Sequence, residues 1–289
     1  MEHVTLGVIG GSGIYEMEAL TDVQELRLRT PFGEPSDVIV TGTLAGVRLA
    51  FVPRHGRGHR IMPSELNSRA NIYALKSLGV QYIVSISACG SMREDYAPRD
   101  IVVPDQLFDR TKDRPSTFFG NGLVAHISFD EPYCPSLSQL VYDACKKTAA
   151  TVHRGGTMVV IEGPQFSTKA ESRIYRSWGV DLIGMTALPE AKLAREAEIC
   201  YAAMAHVTDY DVWHESEAPV TLAMLIQNLQ ANAAVTKEAL AHLAPMISAL
   251  QERTCKCAAA LSTALITDRA SVPAQALKDL APLVGKYLK

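Results

Sequence analysis

The sequence predicts an α/β fold: a single domain with a central mixed, mostly parallel sheet flanked by helices. Short apolar runs of strand length alternate along the chain with segments of helical periodicity, which is the pattern of α/β proteins. The 289 residues contain no internal repeat and no low-complexity linker. One α/β domain often exceeds about 200 residues, so the whole chain is predicted to fold as one unit.

The first half of the chain predicts three strands and one helix. Residues 4–9 form a short apolar run, and the glycine-rich turn 10–13 marks its end. Residues 48–52 are similarly apolar and are closed by a proline, and residues 82–87 predict a third strand. Between these two strands, small and apolar residues recur at helical spacing over 70–78, and the glycine after them is a favourable helix end.

The second half continues the alternation. Residues 159–161, 180–183 and 201–207 are short apolar runs and predict three further strands. The segment 189–199, rich in Ala, Glu, Lys and Leu, predicts a helix between the last two. Residues 221–250 predict a long helix that begins just after a proline, and a second proline inside it is expected to kink or interrupt it.

Two segments have a less regular pattern. Residues 111–135 carry scattered proline, glycine and aromatic residues, and they predict a long functional loop or an excursion at the edge of the domain. Residues 258–289 predict a further helical stretch. The predicted domain therefore covers residues 1–289, with a C-terminal helical extension over about 250–289.

Composition and charge argue against several classes of protein. The formal net charge is −3 and the isoelectric point is about 6.2, whereas nucleic-acid-binding proteins usually carry a basic excess. No apolar run reaches the roughly 18 residues that a membrane helix needs, and no signal-peptide pattern precedes the first strand. The sequence predicts a cytoplasmic enzyme that binds neither nucleic acid nor a membrane.

The cysteines do not predict a metal site. Six cysteines occur, and their spacing is not that of a secreted disulfide framework. Cys255 and Cys257 form the one local pair, which we interpret as two ordinary thiols, with a redox or stabilising disulfide as the alternative. A zinc site would need a second pair or two histidines at ligand spacing, and the sequence offers none with convincing partners.

Groups suited to an anion follow the first two predicted strands. The turn at 10–13 exposes backbone N–H groups and a hydroxyl, but it lacks the further glycine of a dinucleotide site and the lysine of an ATP-binding loop. Arg54 and His55 begin a loop with three arginines and two histidines in seven residues. Arginine binds phosphate oxygens through a bidentate fork, although a solvated basic loop is the alternative.

Other polar groups follow the later strands. Asp209 and Asp211 share one face of an extended segment, where they could hold a metal, act as acid and base, grip a donor-rich ligand, or cap a turn. Ligands of α/β sheets bind at the carboxyl ends of strands. We therefore expect one pocket, with a basic, hydroxyl-rich side and an acidic side, to be formed by Ser12, Arg54, Ser87, Thr186 and Asp209.

At this point the motifs resemble those of a known family, the trimeric purine nucleoside phosphorylases. The shared motifs are Gly-Gly-Ser-Gly at 10–13, Arg-His-Gly-Arg at 54–57, Pro-Ser-Glu-Leu-Asn at 63–67, Ala-Cys-Gly-Ser at 88–91 and Glu-Gly-Pro-Gln-Phe-Ser at 162–167. The methylthioadenosine branch of the family is resembled by Glu-Pro-Tyr-Cys-Pro at 131–135, Met-Thr-Ala-Leu-Pro-Glu at 185–190 and Thr-Asp-Tyr-Asp-Val-Trp at 208–213. The resemblance covers residues 4–245 in order and implies a nucleoside phosphorylase-like fold.

The resemblance implies phosphorolysis of 5′-methylthioadenosine to adenine and 5-methylthioribose 1-phosphate, by a homotrimer or a dimer of trimers. Inorganic phosphate would be the co-substrate, without a metal or an organic cofactor. Phosphate-binding roles are implied for Ser12, Arg54, His55, Ser87, the N–H of Ala88 and Thr186. Substrate-binding roles are implied for Phe166, Ser167, Met185, Leu222, Leu225 and His126, the last in a neighbouring subunit's pocket. Asp209 and Asp211 would be the catalytic residues facing the purine.

Substrate preference depends on the two aspartates. Relatives that act on 6-oxopurines place asparagine at the position of Asp209, so aspartate favours a 6-amino group. Ser12 and Ser87 stand where relatives often have threonine, and serine keeps the hydroxyl. The alternatives are a 6-oxopurine nucleoside or methylthioinosine phosphorylase, a nucleosidase that uses water, and a non-catalytic nucleotide sensor of the same fold.

Overall fold

The structure is a computed structural model that describes residues 3–11, 13–214 and 222–288. The side chains of residues 222–231 lie outside this description. Eleven strands are described: β1 Leu6–Gly10, β2 Thr21–Leu26, β3 Ile39–Leu44, β4 Val47–Pro53, β5 Tyr82–Ser91, β6 Ile101–Val103, β7 Gln106–Arg110, β8 Val152–Arg154, β9 Thr157–Ile161, β10 Leu182–Gly184 and β11 Cys200–Asp209. The described α-helices are α1 Ser68–Ser77, α2 Pro135–Cys145, α3 Lys169–Ser177, α4 Ala187–Glu196, α5 Leu222–Ser248, α6 Ala274–Asp279 and α7 Ala281–Val284.

The strands form one mixed sheet, as predicted. Its main path runs β2-β3-β4-β1-β5-β10-β9-β7, and β11 also pairs with β5 and with β6, which in turn pairs with β8. Of the ten pairings between described strands, six are parallel, including those of β5 with β1 and β11. The antiparallel pairings join β10 to β5, β11 to β6, β2 to β3 and β3 to β4, and the last two make β2–β3–β4 a meander.

Helices cover both faces of the sheet because successive strand residues point to opposite sides. In β1, Ile9 packs in a cluster with residues of α1 and α4, whereas Leu6 and Val8 pack in a second cluster with residues of α2 and α5. The two clusters form the core of a single domain. The helix α1 is capped at its start by Asn67, whose side chain accepts a hydrogen bond from the Ala70 N–H.

The predicted elements all overlap observed ones. The six predicted strands correspond to β1, β4, β5, β9, β10 and β11, and the three predicted helices correspond to α1, α4 and α5. The long helix continues past Pro245 to Ser248. Residues 111–134, all of which the structure describes, contain no helix and no strand beyond isolated bridges. The elements β2, β3, β6, β7, β8, α2 and α3 were not predicted.

The C-terminal segment consists of short helices instead of one helical stretch. Prolines at 273 and 282 restrict helix continuation, so α6 and α7 remain short. This segment is fastened to the core through Glu198, which accepts hydrogen bonds from the Leu261 N–H at 3.1 Å and the Tyr287 hydroxyl at 2.6 Å. Lys286 forms an ion pair with the same carboxylate at 2.5 Å.

Candidate functional site

The candidate site lies where β1 and β4 end and β5 continues. Gly10 is paired with Pro53, and Ile9 with Ser85, so β5 extends past both neighbours up to Ser91. Ser87 and Ala88 are the only residues of β5 that are not buried. In a strand at the centre of a sheet, such local exposure marks a cleft, and both residues were predicted to line one.

Arg54 follows β4 and is buried beside this cleft, with 3% of its surface exposed. Its Nε donates to Glu190 Oε1 at 2.5 Å, and its Nη2 contacts Glu190 Oε2 at 3.2 Å and Ser85 Oγ at 2.7 Å. Further bonds go to the carbonyls of Ile9 and Ile86. A guanidinium has five N–H groups, so these contacts leave one Nη1 N–H for a ligand.

Glu190 is a site residue to which the sequence analysis gave no role. It is fully buried, and besides Arg54 it accepts hydrogen bonds from the Tyr201 hydroxyl at 3.0 Å and from Ser85 Oγ at 3.3 Å. The negative charge of Glu190 raises the pKa of Arg54 against the opposing effect of burial. Glu190 is the last residue of the motif 185–190 that resembles the methylthioadenosine branch of the family. The motif marks the residue, but its pairing with Arg54, 136 residues away in sequence, is visible only in the structure.

His55 lies next to Arg54 and is half-buried. Its Nδ1 is 2.8 Å from the carbonyl oxygen of Ile61, and its ring stacks on that of His59. Burial, together with the positive charge of Arg54, lowers the pKa of His55 to about 4. The ring is therefore neutral at pH 7, with Nδ1–H donating to the Ile61 carbonyl and Nε2 able to accept a hydrogen bond.

Thr186 approaches the same cleft from β10. Because β10 runs antiparallel to β5, with Leu182 opposite Ser91 and Ile183 opposite Gly90, the chain after β10 continues toward Ala88 and Ser87. Thr186 is the N-terminal cap residue of α4, yet its side chain makes no capping hydrogen bond. Leu188, with φ −116° and ψ 136°, is not helical, so the regular part of α4 begins after it. The Thr186 hydroxyl has no capping partner and is available to an anion. The Gly10–Gly11 turn, Arg54, Ser87–Ala88 and Thr186 are called the basic side below.

The loops beyond the basic side are held by Arg114. Its Nη1 donates to the carbonyls of Met185 and Leu188 at 2.7 and 2.9 Å, and its Nη2 to the carbonyl of Glu162. Its Nε also bonds to the Glu162 carboxylate at 3.0 Å. Arg114 thus joins the segment of Met185 to the turn that carries Phe166. The sequence placed Arg114 in the functional loop 111–135 but gave it no role.

The opposite, acidic side is formed by Asp209 and Asp211 at the end of β11. A register shift between Val207 and Asp209 changes the direction of the strand, and Asp209 is paired with Gly90. A methyl group on Gly90 would lie 3.0 Å from Asp209 Oδ1, so glycine leaves room for the carboxylate. Asp209 accepts hydrogen bonds from Thr208 Oγ1 at 2.6 Å and from the Asp211 N–H at 2.8 Å.

Both carboxyl groups have raised pKa values. For Asp209 the cause is burial, which outweighs the lowering effect of its two hydrogen bonds. For Asp211, burial is again the main cause, and the charge of Asp209 raises the pKa further. Burial makes protonation of either carboxyl easier than in water, as an acid catalyst near neutral pH requires.

Two buried oxygen atoms of residues predicted to contact the purine have no hydrogen-bond partner: Asp211 Oδ2 and Ser167 Oγ. Buried polar atoms are nearly always paired, so these atoms are suited to a ligand. Phe166 precedes Ser167 and is 56% exposed, which is unusual for a large aromatic side chain. Asp209, Asp211, Phe166 and Ser167 are called the acidic side below.

The remaining predicted site residues are placed as follows. Met185 is half-buried and packs against Gly163. A side chain at position 163 would not fit there, because its Cβ atom would lie only 2.5 Å from Met185 Sδ. His126 is exposed, and its backbone N–H donates to the Ala264 carbonyl. Ser12 and the side chains of Leu222 and Leu225 lie outside the described residues.

One group of side chains among the described residues could hold a metal ion, and it lies away from this site. It consists of Cys134, Cys200, Cys255 and Cys257, and Cys200 begins the strand that ends at Asp209. The sequence spacing showed no convincing partners for the Cys255/Cys257 pair, and the structure places Cys134 and Cys200, both distant in sequence, beside it. No helix within the described part of the chain is both long and apolar enough to cross a membrane.

Comparison with known proteins supports this reading of the fold. The family model described as the Phosphorylase superfamily matches residues 5–245. The S-methyl-5′-thioadenosine phosphorylase of Geobacter sulfurreducens is 55% identical over the whole of both chains. That of Gloeobacter violaceus is 56% identical over 98% of this chain and 95% of its own.

Solved structures agree with these matches. The crystal structure of a methylthioadenosine phosphorylase from an antarctic soil metagenomic library has a TM-score of 0.94 and 48% identity, covering 98% of this chain and 99% of the other. The methylthioadenosine phosphorylase of Schistosoma mansoni in complex with adenine has a TM-score of 0.81 and 38% identity, covering 86% of this chain and 93% of its own. The chain therefore belongs to the phosphorylase superfamily and, within it, to the S-methyl-5′-thioadenosine phosphorylase family.

Proposed function

We propose that this chain cleaves 5′-methylthioadenosine with inorganic phosphate, giving adenine and 5-methylthioribose 1-phosphate. The observation that carries the proposal is the polarity of the cleft. Arg54 and Thr186 would form its anion-binding side, and Asp209, which is paired with Gly90 two residues after Ala88, would begin its acidic side. The buried atoms Asp211 Oδ2 and Ser167 Oγ, which lack partners, support this assignment. A nucleoside with phosphate beneath its ribose has the complementary polarity, because phosphate is anionic and the 6-amino group donates hydrogen bonds.

Phosphate would occupy the basic side. The free Nη1 N–H of Arg54, the hydroxyls of Ser87 and Thr186, and the backbone N–H of Ala88 would donate to its oxygens, with Ser12 completing the set. Neutral His55 offers Nε2 as an acceptor, which suits the hydroxyl of monohydrogen phosphate. Met185 would lie under the ribose, at the point where the two sides meet.

In the reaction, a phosphate oxygen forms a bond to C1′ as the C1′–N9 bond breaks, and the bonding electrons go to the purine. The ribose passes through an oxocarbenium-like state, which the phosphate dianion stabilises electrostatically. Orienting phosphate and nucleoside in one cleft lowers the barrier by several kcal/mol, up to about 7–11. Asp209, whose burial raises its pKa, would donate a proton to N7 of the leaving purine.

Two features would set the substrate preference. Asp209, when it donates to N7 through one protonated oxygen, can still accept from the 6-amino group through the other, and ionised Asp211 only accepts, so the pair favours a 6-amino group over a 6-oxo group. Phe166 and Ser167 would line the purine pocket, and Leu222 and Leu225 an apolar pocket for the 5′-methylthio group. One apolar contact of this kind gives only about a 10- to 200-fold preference, so adenosine is expected to react more slowly but measurably.

We further propose that the active form is a homotrimer or a dimer of trimers, in which His126 reaches a neighbouring subunit's pocket. The exposure of His126, and of Val124 two residues before it at 44%, supports this, since both side chains are available to a partner. We expect a cytoplasmic enzyme. The reaction should need no metal at the reacting atoms and no organic cofactor, because phosphate and the two carboxyl groups supply the required charges.

The test is release of free base from methylthioadenosine, adenosine, inosine and methylthioinosine, each with and without phosphate. The proposal expects phosphate-dependent adenine release, fastest from methylthioadenosine, at about one turnover per second or more. Preferential hypoxanthine release would retain the phosphate site but overturn the assignment of Asp209 and Asp211. Release without phosphate would make the protein a nucleosidase, and no release would leave a binding protein.

A further inference from the structure

Four of the six cysteines converge from three separate parts of the chain. Cys134 directly precedes α2, Cys200 begins β11, and Cys255 and Cys257 lie at the short helical turn Lys256–Ala259. All four sulphur atoms lie within 4.8 Å of one another. The other two cysteines, Cys89 and Cys145, are not part of this group.

The spacing of the sulphur atoms suits one tetrahedral ion. Thiolates bind zinc at about 2.3 Å, so the four sulphurs of a tetrahedral site are about 3.8 Å apart. Here the sulphurs of Cys200 and Cys255 are 3.3 Å apart, and no disulfide bond joins any two of the four cysteines. A disulfide would join the sulphurs only in pairs, at about 2.05 Å, whereas this cluster brings all four to a common centre.

The surroundings favour a structural site over a catalytic one. Cys134 and Cys200 are fully buried, Cys257 is nearly so, and only Cys255 is half-buried. Four thiolates complete the coordination of zinc, so no position remains open for water. Soft thiolate ligands also select zinc over magnesium, calcium or manganese, which prefer oxygen ligands.

The position of Cys134 favours the negative charge that such a site requires. Cys134 lies at the N-terminal end of α2, a helix of 11 residues, where the helix dipole favours a thiolate.

We propose that Cys134, Cys200, Cys255 and Cys257 bind one zinc ion in a closed, tetrahedral, structural site. The ion would fasten the segment after α5 to the start of β11, the strand whose far end carries Asp209. The same segment leads to Leu261 and Tyr287, which bond to Glu198 two residues before Cys200. Zinc would therefore hold the C-terminal segment against the core without contacting the substrate.

The first experiment measures the zinc content of the untagged full chain, purified under reducing conditions from zinc-supplemented cells, by inductively coupled plasma mass spectrometry. About one zinc per chain is expected. The double variant Cys255→Ser/Cys257→Ser should lose the zinc, whereas Cys145→Ser, a buried cysteine in α2 outside the cluster, should retain it. Thermal unfolding should show a lower Tm for the double variant than for the control.

A second measurement does not depend on whether the double variant folds. Replacing zinc with cobalt(II) in the unmodified chain should produce the visible bands and thiolate charge-transfer absorption of tetrahedral cobalt. Less than about 0.2 zinc per chain together with no cobalt spectrum would overturn the proposal. Disulfides among the four cysteines, found by mass spectrometry of alkylated but unreduced protein, would also overturn it. Neither result would affect the phosphorolysis assay.

Discussion

Replacing Glu190 with glutamine tests the buried ion pair behind the basic side of the cleft. The Glu190 carboxylate receives Nε and Nη2 of Arg54, the Tyr201 hydroxyl and Ser85 Oγ, and it is fully buried. Glutamine has nearly the same shape but no charge, and its amide nitrogen would face N–H groups of Arg54. The substitution therefore leaves a buried guanidinium without a counter-charge.

The expected loss is large compared with the stability of a typical domain. Breaking a buried ion pair by removing one partner costs about 3–5 kcal/mol, against a total stability of about 5–15 kcal/mol. For a domain of this size each kcal/mol corresponds to roughly 2–4 °C, so the Tm should fall by about 6–20 °C. Added phosphate should restore more of this loss in the variant than it adds to the unmodified protein, because the dianion replaces the missing counter-charge.

The assay is thermal unfolding of both proteins in a phosphate-free buffer and at a series of phosphate concentrations. The matched control is Glu196→Gln, which alters a second buried glutamate of α4. Glu196 accepts hydrogen bonds from Thr117 Oγ1 and the Phe118 N–H, neither of which carries a positive charge. In the control, phosphate should raise the Tm by the same amount as in the unmodified protein. A Glu190→Gln variant that loses less than about 1 kcal/mol, or that responds to phosphate like the control, would refute the reasoning.

Three further predictions concern other parts of the molecule. Burial raises the pKa of Glu196 from 4.5 to about 7, so the folded protein binds this proton more tightly than the unfolded chain. The free energy of unfolding should therefore fall by about 3 kcal/mol as pH rises from 4.5 to 7. Urea unfolding of Glu196→Gln should lack this decrease. Asp209→Asn should slow adenine release from methylthioadenosine by about 10²–10⁴-fold while improving the relative rate with inosine, whereas the exposed control Asp130→Asn should do neither. Arg114→Met should lower kcat/KM for the nucleoside by up to about 100-fold with little change in the KM for phosphate, because the substitution releases Met185 and the Glu162 turn. The exposed control Arg173→Met should leave both values unchanged.

The parts of the fold that the sequence predicts are those with a strong local signal. The buried strands β1, β5 and β11 are rich in apolar and small residues, and α5 is rich in Ala and Leu although it contains Pro245. In contrast, β2 is exposed along most of its length, and its sequence Thr-Asp-Val-Gln-Glu-Leu lacks an apolar run. It is a strand because it pairs with β3 at the edge of the sheet, and tertiary pairing leaves no mark in the local pattern.

The same distinction applies to the site. The sequence predicted the convergence of Arg54, Ser87 and Thr186 because each follows or ends a predicted strand, and carboxyl ends of parallel strands meet at one edge. It did not predict the antiparallel direction of β10, which brings Thr186 to the cleft from the other end of β5. Because β10 pairs with β5 only at Gly90 and Ser91, at the end of that strand, the chain that leaves β10 runs back along β5 toward Ser87 and Ala88.

The contacts that the sequence could not reveal are those between distant buried polar groups. Arg54 and Glu190 are 136 residues apart, and the sulphur atoms of Cys200 and Cys255 come from positions 55 residues apart. In both cases each residue alone has an ordinary local explanation, a basic loop or a structural thiol. Burial changes this, because a charge or a thiolate in the core is stable only with a partner. The strongest functional information that the structure adds is therefore the identity of these partners: Glu190 for the arginine of the basic side, and Cys134 and Cys200 for the Cys255/Cys257 pair.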